Sequence, residues 1–328
     1  MSGNAGLILS SYAAAPALDG WNPEAEAAFL HSAASLPGVS GLEVPFYPTG
    51  QLHKYDGDWF LEKVRHLPDH LAFVVTTIPD TMSRLDGSAD FGLASLTAAG
   101  RQAAVARAAA AAVAVRALNA VLGRPAVLAV HLFSAPRPVP HGVPAGSAGT
   151  GLLAASLEQL AAYDWDGARP VLEHCDAAKP GQTPAKGFLT LDEEMEAATA
   201  SGTGTAVAVN WGRSAIEGRD GSTAGRHIRA CLDSQLLAGV VVSGCAPVAT
   251  SFGEAWDDCH VPPAPVEPAS LLTPAAIRSV SAALESAPGG PKSEVYRGLK
   301  VSAPQGSSVA RRVGLLAGSI DVVRAAGF

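Results

Sequence analysis

The sequence predicts an α/β protein folded as a single (β/α)8, or TIM, barrel, and three observations carry that expectation. Eight apolar segments of strand length alternate with eight helical segments along the 328 residues. The strand segments are continuous apolar runs rather than alternating ones, as in a parallel sheet covered on both faces. No GxGxxG follows the first strand and no GxxxxGK[ST] occurs anywhere, so dinucleotide-binding and P-loop sheets lose support. Eight strand–helix units in this length suit a closed barrel better than an open doubly wound sheet.

Local signals place each element. "GLILSSYA" (6–13) reads as the first strand, followed by a helix over 22–38 that Asn22 caps, Pro23 opens and Gly38 ends. "SGLEVPFY" (40–47) is the second strand, with a helix near 56–66. The β-branched "LAFVVTTIP" (71–79) is the third, and a long Ala-rich helix over about 93–122 follows. "AVLAVHLFSAP" (126–136) is the fourth, with a helix at about 150–163. "PVLEHCDA" (170–177) is the fifth, and Thr190 with Glu193 makes a capping-box pattern at the start of a helix over 190–200. "TAVAVNWGRS" (205–214) is the sixth, with a helix around 223–236. "LAGVVVSGCAP" (237–247) is the seventh, and a long ordered loop at about 246–272 separates it from a helix at 273–285. "YRGLKVSAP" (296–304) is the eighth, and a terminal helix spans 307–325. One domain over 1–328 is expected.

Composition narrows the function. Apolar residues make up 48%, enough for a large core, and the net charge of −7 argues against a nucleic-acid surface, which needs clustered Lys and Arg. The short "ARR" at 310–312 reads as an exposed helix face. Four widely spaced cysteines without a CxxC pair fit reduced thiols in a cytoplasmic protein, with Cys175 and Cys245 as small packing residues. The apolar N-terminal run is preceded by no Lys or Arg, unlike a signal peptide. The nearest approach to a membrane span, residues 102–122, is interrupted by Arg107, Arg116 and Asn119.

Catalytic groups of such barrels sit at the C-terminal ends of the strands. Strand two ends in Glu43 and Tyr47, strand four offers His131 and Ser134, and strand five offers Glu173, His174 and Asp176. Asn210, Trp211, Arg213 and Ser214 end strand six, with Glu217 and Arg219 beyond. Ser243 and Cys245 end strand seven, whose loop carries Trp256, Asp257, Asp258 and His260, and Lys300 and Ser302 lie at strand eight. Glu173 and His174 must point to opposite faces of their strand, and Glu173 is expected to face the barrel interior. A lysine on a barrel strand requires a carboxylate partner or a lowered pKa.

The motifs "FGLAS" (91–95), "LEHCDA", "KGFL" (186–189), "VNWGRSAIEGR" (209–219), "SGC" and "WDDCHVPP" (256–263) resemble the DUF4862 family, which is similar to a divergent branch of the xylose isomerase-like TIM barrels. That resemblance implies sugar isomerase or epimerase chemistry. It also implies metal ligands at strand five, six, seven and eight, and here the implied set breaks down. Glu173 matches, but Asn210 stands for an acid, Arg213 lies near the expected His, Ser243 and Cys245 occupy strand seven, and Lys300 replaces the last acid. No cofactor is therefore expected; a rebuilt divalent-metal site from Glu173, His131, Asp176 or His260 is the alternative.

The expected function is proton abstraction beside a sugar carbonyl. Glu173, Lys300 and His131 are the expected catalytic groups. Glu43, Asn210, Trp211, Arg213, Trp256, Asp258 and His260 are expected to bind a small carbohydrate, which an anionic group would suit. A glycoside hydrolase or lyase using Glu43 and Glu173, and a non-catalytic sugar-binding barrel, are the alternatives; DNA repair, the activity of another branch, fits least. No nucleic-acid or membrane partner is expected, and a homo-oligomer is compatible with the sequence.

Overall fold

The structure, a computed structural model, describes residues 6–137, 146–286 and 295–328. Its strands are β1 (Leu7–Leu9), β2 (Val39–Pro45), β3 (Ala72–Thr76), β4 (Val127–Leu132), β5 (Arg169–His174), β6 (Ala206–Asn210), β7 (Leu237–Val242) and β8 (Tyr296–Leu299). They are hydrogen-bonded in chain order as a closed barrel, with parallel pairs β1–β2, β1–β8, β3–β4, β4–β5 and β7–β8. The helices are α1 (Pro23–Ala34), α2 (Gly57–Val64), α3 (Ile78–Gly87), α4 (Ala98–Leu122), α5 (Gly146–Ala161), α6 (Leu191–Ala200), α7 (Trp211–Gly218), α8 (Ser222–Asp233), α9 (Pro274–Glu285) and α10 (Val309–Ala325). This is the TIM barrel that the sequence predicts.

Two helices, α3 and α7, depart from the expected elements. The third strand stops at Thr76, and Pro79 sits in the first turn of α3, where its fixed φ and missing N–H cost nothing. The sixth strand stops at Asn210, whose side chain accepts the Arg213 N–H at 3.3 Å and caps α7. "NWGRS" is thus a helix start, and the strand expected over 205–214 is corrected to end at 210. The long fourth helix begins at Ala98 rather than near 93, because Thr97 accepts the Gly100 N–H at 3.2 Å. The preceding "FGLAS" segment lies along the chain after β4, where Ala94 N–H donates to Ala135 O at 2.9 Å. A side chain at Gly92 would collide with that same Ala135 carbonyl, which explains the glycine.

The chain packs as two compact units. One comprises Met1–Glu43, His66–Ala72 and Val209–Phe328. In it α1 lies against α10, and the exposed face expected at 310–312 is corrected at Arg312, which is buried, donates to Ala14 O at 2.9 Å and Ala15 O at 3.2 Å and ion-pairs with Asp19. The other unit comprises Val44–Arg65 and Phe73–Ala208, in which α5 lies against α6.

Among the described residues α4 alone is long and apolar enough to cross a membrane by length and composition. The polar residues that interrupt it are anchors of the fold instead. Asn119 is buried; its Oδ1 accepts from Ala126 N (2.8 Å) and Val127 N (3.0 Å), and its Nδ2 donates to Asp166 O (3.1 Å). Arg107 holds both Asp80 oxygens, at 3.0 and 3.1 Å.

Candidate active site

The second unit contains a buried acid–imidazole pair. Register places His131 of β4 beside Val171 of β5, two residues before Glu173. His131 Nδ1 lies 3.3 Å from Glu173 Oε2, with the two side chains 1% and 0% exposed. The strand's period of two separates Glu173 from its neighbour, as the sequence predicts. His174 turns to α6, where its Nδ1 is 2.7 Å from Glu194 Oε2. Glu194 also accepts a hydrogen bond from the Ser134 hydroxyl through its other oxygen. Asp176 serves the loop after β5: its carboxylate accepts the Lys186 N–H at 2.9 and 3.1 Å. Cys175 belongs to an apolar cluster with Ile78, Phe133, Ala135 and Phe188, the packing role expected of it.

The first unit contains a buried cation. Lys300 lies one residue beyond β8, yet its N–H still donates to Val242 O at 3.0 Å. Its Nζ is 3.3 Å from Glu43 Oε2, and both side chains are at most 2% exposed. The ammonium also sits 4.8 Å from the centre of the Tyr12 ring, a cation–π contact. The carboxylate partner that a barrel-strand lysine requires is therefore Glu43, on β2.

In the same unit Arg213 reaches the loop after β7. Its Nε donates to Asp258 Oδ2 at 3.0 Å, and Asp258 Oδ1 lies 3.3 Å from His260 Nδ1. Ser243 Oγ is 3.1 Å from that same His260 nitrogen. A Ser–His–acid relay would place serine and acid on opposite ring nitrogens, so this group is not one. The loop is ordered, as expected: Gly244 and Val261 exchange hydrogen bonds at 2.9 and 3.0 Å, and Ser302 Oγ donates to Cys259 O at 2.5 Å. Trp256 lies on this loop with the Arg219 guanidinium 5.1 Å from its ring centre. Trp211 is 1% exposed, and any side chain at Gly221 would touch its ring. Asn210 spends its side-chain oxygen on the α7 cap.

Two thiols border this loop. Burial, with Cys259 and Asp258 nearby, pushes the Cys245 thiol up to about 12; burial with Asp257 and Asp258 pushes Cys259 up to about 11. Thiolate is the reactive form, so iodoacetamide at pH 7.5 should leave both unmodified in the native protein. Peptide mass spectrometry checks this, with alkylation of all four cysteines expected in guanidinium.

Sequence reasoning missed Tyr12 and Glu194. Tyr12 was read as part of the first strand but lies in a 3-10 helix, Ser11–Ala14, which turns its ring under Lys300. Glu194 is hidden in the acidic run "LDEE", where Glu193 supplies the expected capping box, its Oε2 accepting the Thr190 N–H at 2.8 Å.

Comparison with known proteins agrees with this architecture. The model of the family described as "Domain of unknown function (DUF4862)" matches residues 8–315. Uncharacterized protein STM3670 of Salmonella typhimurium strain LT2 is 32% identical over 333 residues, covering 99% of each chain. Solved structures of similar fold include 3-keto-D-glucoside 4-epimerase YcjR from E. coli in its apo form (12% identity, 96% and 99% of the chains, TM-score 0.58). D-psicose 3-epimerase in the presence of D-fructose (12%, 98% and 98%, 0.59) and L-ribulose 3-epimerase (14%, 98% and 95%, 0.58) are two more. At these identities the likeness is one of fold. With the family model spanning nearly the whole chain, this protein is a member of the DUF4862 family, built on a TIM barrel.

Proposed function

We propose that this protein is a sugar isomerase or epimerase that removes a proton from the carbon beside a carbonyl, without a divalent metal. The observation that carries the reading is the buried Glu173–His131 pair at the ends of β4 and β5. A carboxylate held next to an imidazole is a ready acid–base couple, and barrel chemistry belongs at those strand ends. The similar folds of three sugar epimerases support the same class.

In this reading Glu173 takes the carbon-bound proton and His131 carries a proton to or from the adjacent oxygen. Lys300 supplies positive charge where an enediolate develops. Glu43, its ion-pair partner, holds it and accepts from substrate hydroxyls. Arg213 fixes Asp258 and, through it, His260, so the loop presents Trp256, Asp258 and His260 to the sugar. Asn210 and Trp211 shape the start of α7 that carries Arg213.

On this reading the positive charge that a divalent metal would supply comes from Lys300 and Arg213 instead. A hard dication requires several oxygen donors, largely carboxylates. Glu43 is already met by Lys300, and Asp258 by Arg213.

The test is proton NMR in D₂O with a panel of ketopentoses, ketohexoses and 3-keto-glucosides, neutral and anionic, alongside elemental analysis of the purified protein. The expected result is deuterium uptake beside the carbonyl that EDTA leaves unchanged, with far less than one metal per chain. Exchange lost in EDTA and restored by Mn²⁺ would overturn the metal-free mechanism. Saturable binding without exchange would make the protein a sugar-binding barrel, and glycoside cleavage without exchange would assign Glu43 and Glu173 to hydrolysis.

A further inference from the structure

We propose that Glu194 is a positioning residue for the Glu173–His131 pair, an inference that rests on the reading of that pair as the acid–base couple. One buried carboxylate on the first turn of α6 holds two strand ends. Through Oε2 it meets His174 Nδ1 at 2.7 Å, and through Oε1 it takes the Ser134 hydroxyl. All three side chains are at most 1% exposed.

His174 is the last residue of β5 and directly follows Glu173. Ser134 lies two residues beyond β4, three after His131. The carboxylate therefore clamps, from the helix side, the two strand ends whose other faces carry the pair. Its location in the first turn of α6 suits an anion, because the free N–H groups there are partially positive. An acceptor-only carboxylate at His174 Nδ1 requires that nitrogen to carry the hydrogen, which sets the tautomer and the plane of the ring.

A buried anion contacting one donor from each strand end leaves little freedom for either. A slip of β5 would strip Oε2 of its partner, and a slip of β4 would strip Oε1, in a site too deeply buried for solvent to replace them. The distance between Glu173 and His131 is thus set from behind the strand as well as in front of it. The neighbouring acid Glu193 is spent on the capping box and cannot substitute.

The experiment uses ¹⁵N-histidine-labelled full-length protein, with ring signals assigned by single His→Gln variants. The wild type should show His174 protonated at Nδ1. In Glu194→Gln the His174 signal should become a mixture of tautomers and the His131 ring nitrogens should also shift. With a sugar that exchanges in D₂O, Glu194→Gln should lower kcat about 10–100-fold, the scale seen when the orienting partner of a functional histidine is removed, with KM within about twofold. His174→Asn, whose amide nitrogen falls where Nδ1 stands, should retain most of the rate, and His174→Leu should not. Ser134→Ala removes one contact only and should shift His131 in the same direction, which keeps the test open if Glu194→Gln folds poorly. His131 signals unmoved in both Glu194→Gln and Ser134→Ala would overturn the proposal. The NMR arm needs no substrate, so it decides even if no sugar is turned over and the proposed function fails.

Discussion

Replacement of Lys300 by Met is expected to destabilise the protein by about 3–5 kcal/mol, the cost of breaking a buried ion pair from one side. The reason is Glu43. It is 2% exposed, and its carboxylate faces the Lys300 ammonium at 3.3 Å. Methionine fills most of the lysine volume and preserves contact with the Tyr12 ring, but it removes the ammonium that faces a buried carboxylate. The double variant Glu43→Gln/Lys300→Met should recover most of the loss, because replacing both charges of a buried pair by neutral groups is often nearly neutral. Urea unfolding of the wild type, both single variants and the double variant completes the cycle. A double variant whose loss equals the sum of the two single losses would show that Lys300 and Glu43 are not coupled. On the proposed mechanism the double variant is also folded but inactive, which separates the role of the Lys300–Glu43 pair in chemistry from its role in the fold.

Replacement of Glu173 by Gln is expected to have the opposite profile. The amide keeps the shape of the side chain and its approach to His131, so the change in stability should stay within about 1–2 kcal/mol. The amide cannot accept a proton from carbon, so the rate of deuterium exchange should fall about 10²–10⁴-fold, the usual contribution of a general base. Exchange kinetics and urea unfolding on the same preparation provide both numbers. Wild-type exchange in Glu173→Gln would sink the assignment of Glu173 as base.

The contrast between these two variants shows where sequence was informative. The opposed directions of Glu173 and His174 follow from the strand period alone, and the structure agrees: one meets His131, the other α6. The need of Lys300 for a carboxylate also follows from burial of a charge. Which carboxylate it takes does not, because Glu43 and Lys300 lie at opposite ends of the chain and meet only through the closure of β1 on both β2 and β8. The sixth strand was read four residues too long because "VNW" continues an apolar run, while the signal that ends it, an asparagine cap, resembles an ordinary polar strand residue until the Arg213 N–H is seen to donate to it.

The sequence by itself determined the eight-unit alternation, the barrel class, the family and the strand ends at which chemistry is expected, because apolar period and capping are local properties that neighbouring residues share. Only the tertiary structure decided which charges meet. Lys300 with Glu43, Arg213 with Asp258, and Glu194 with both His174 and Ser134 are pairings across strands, helices and loops. A buried charge needs a partner for solvation reasons that any sequence reveals, but the partner's identity is a matter of distance, and distance between residues far apart in the chain is set by how the strands close and the loops return.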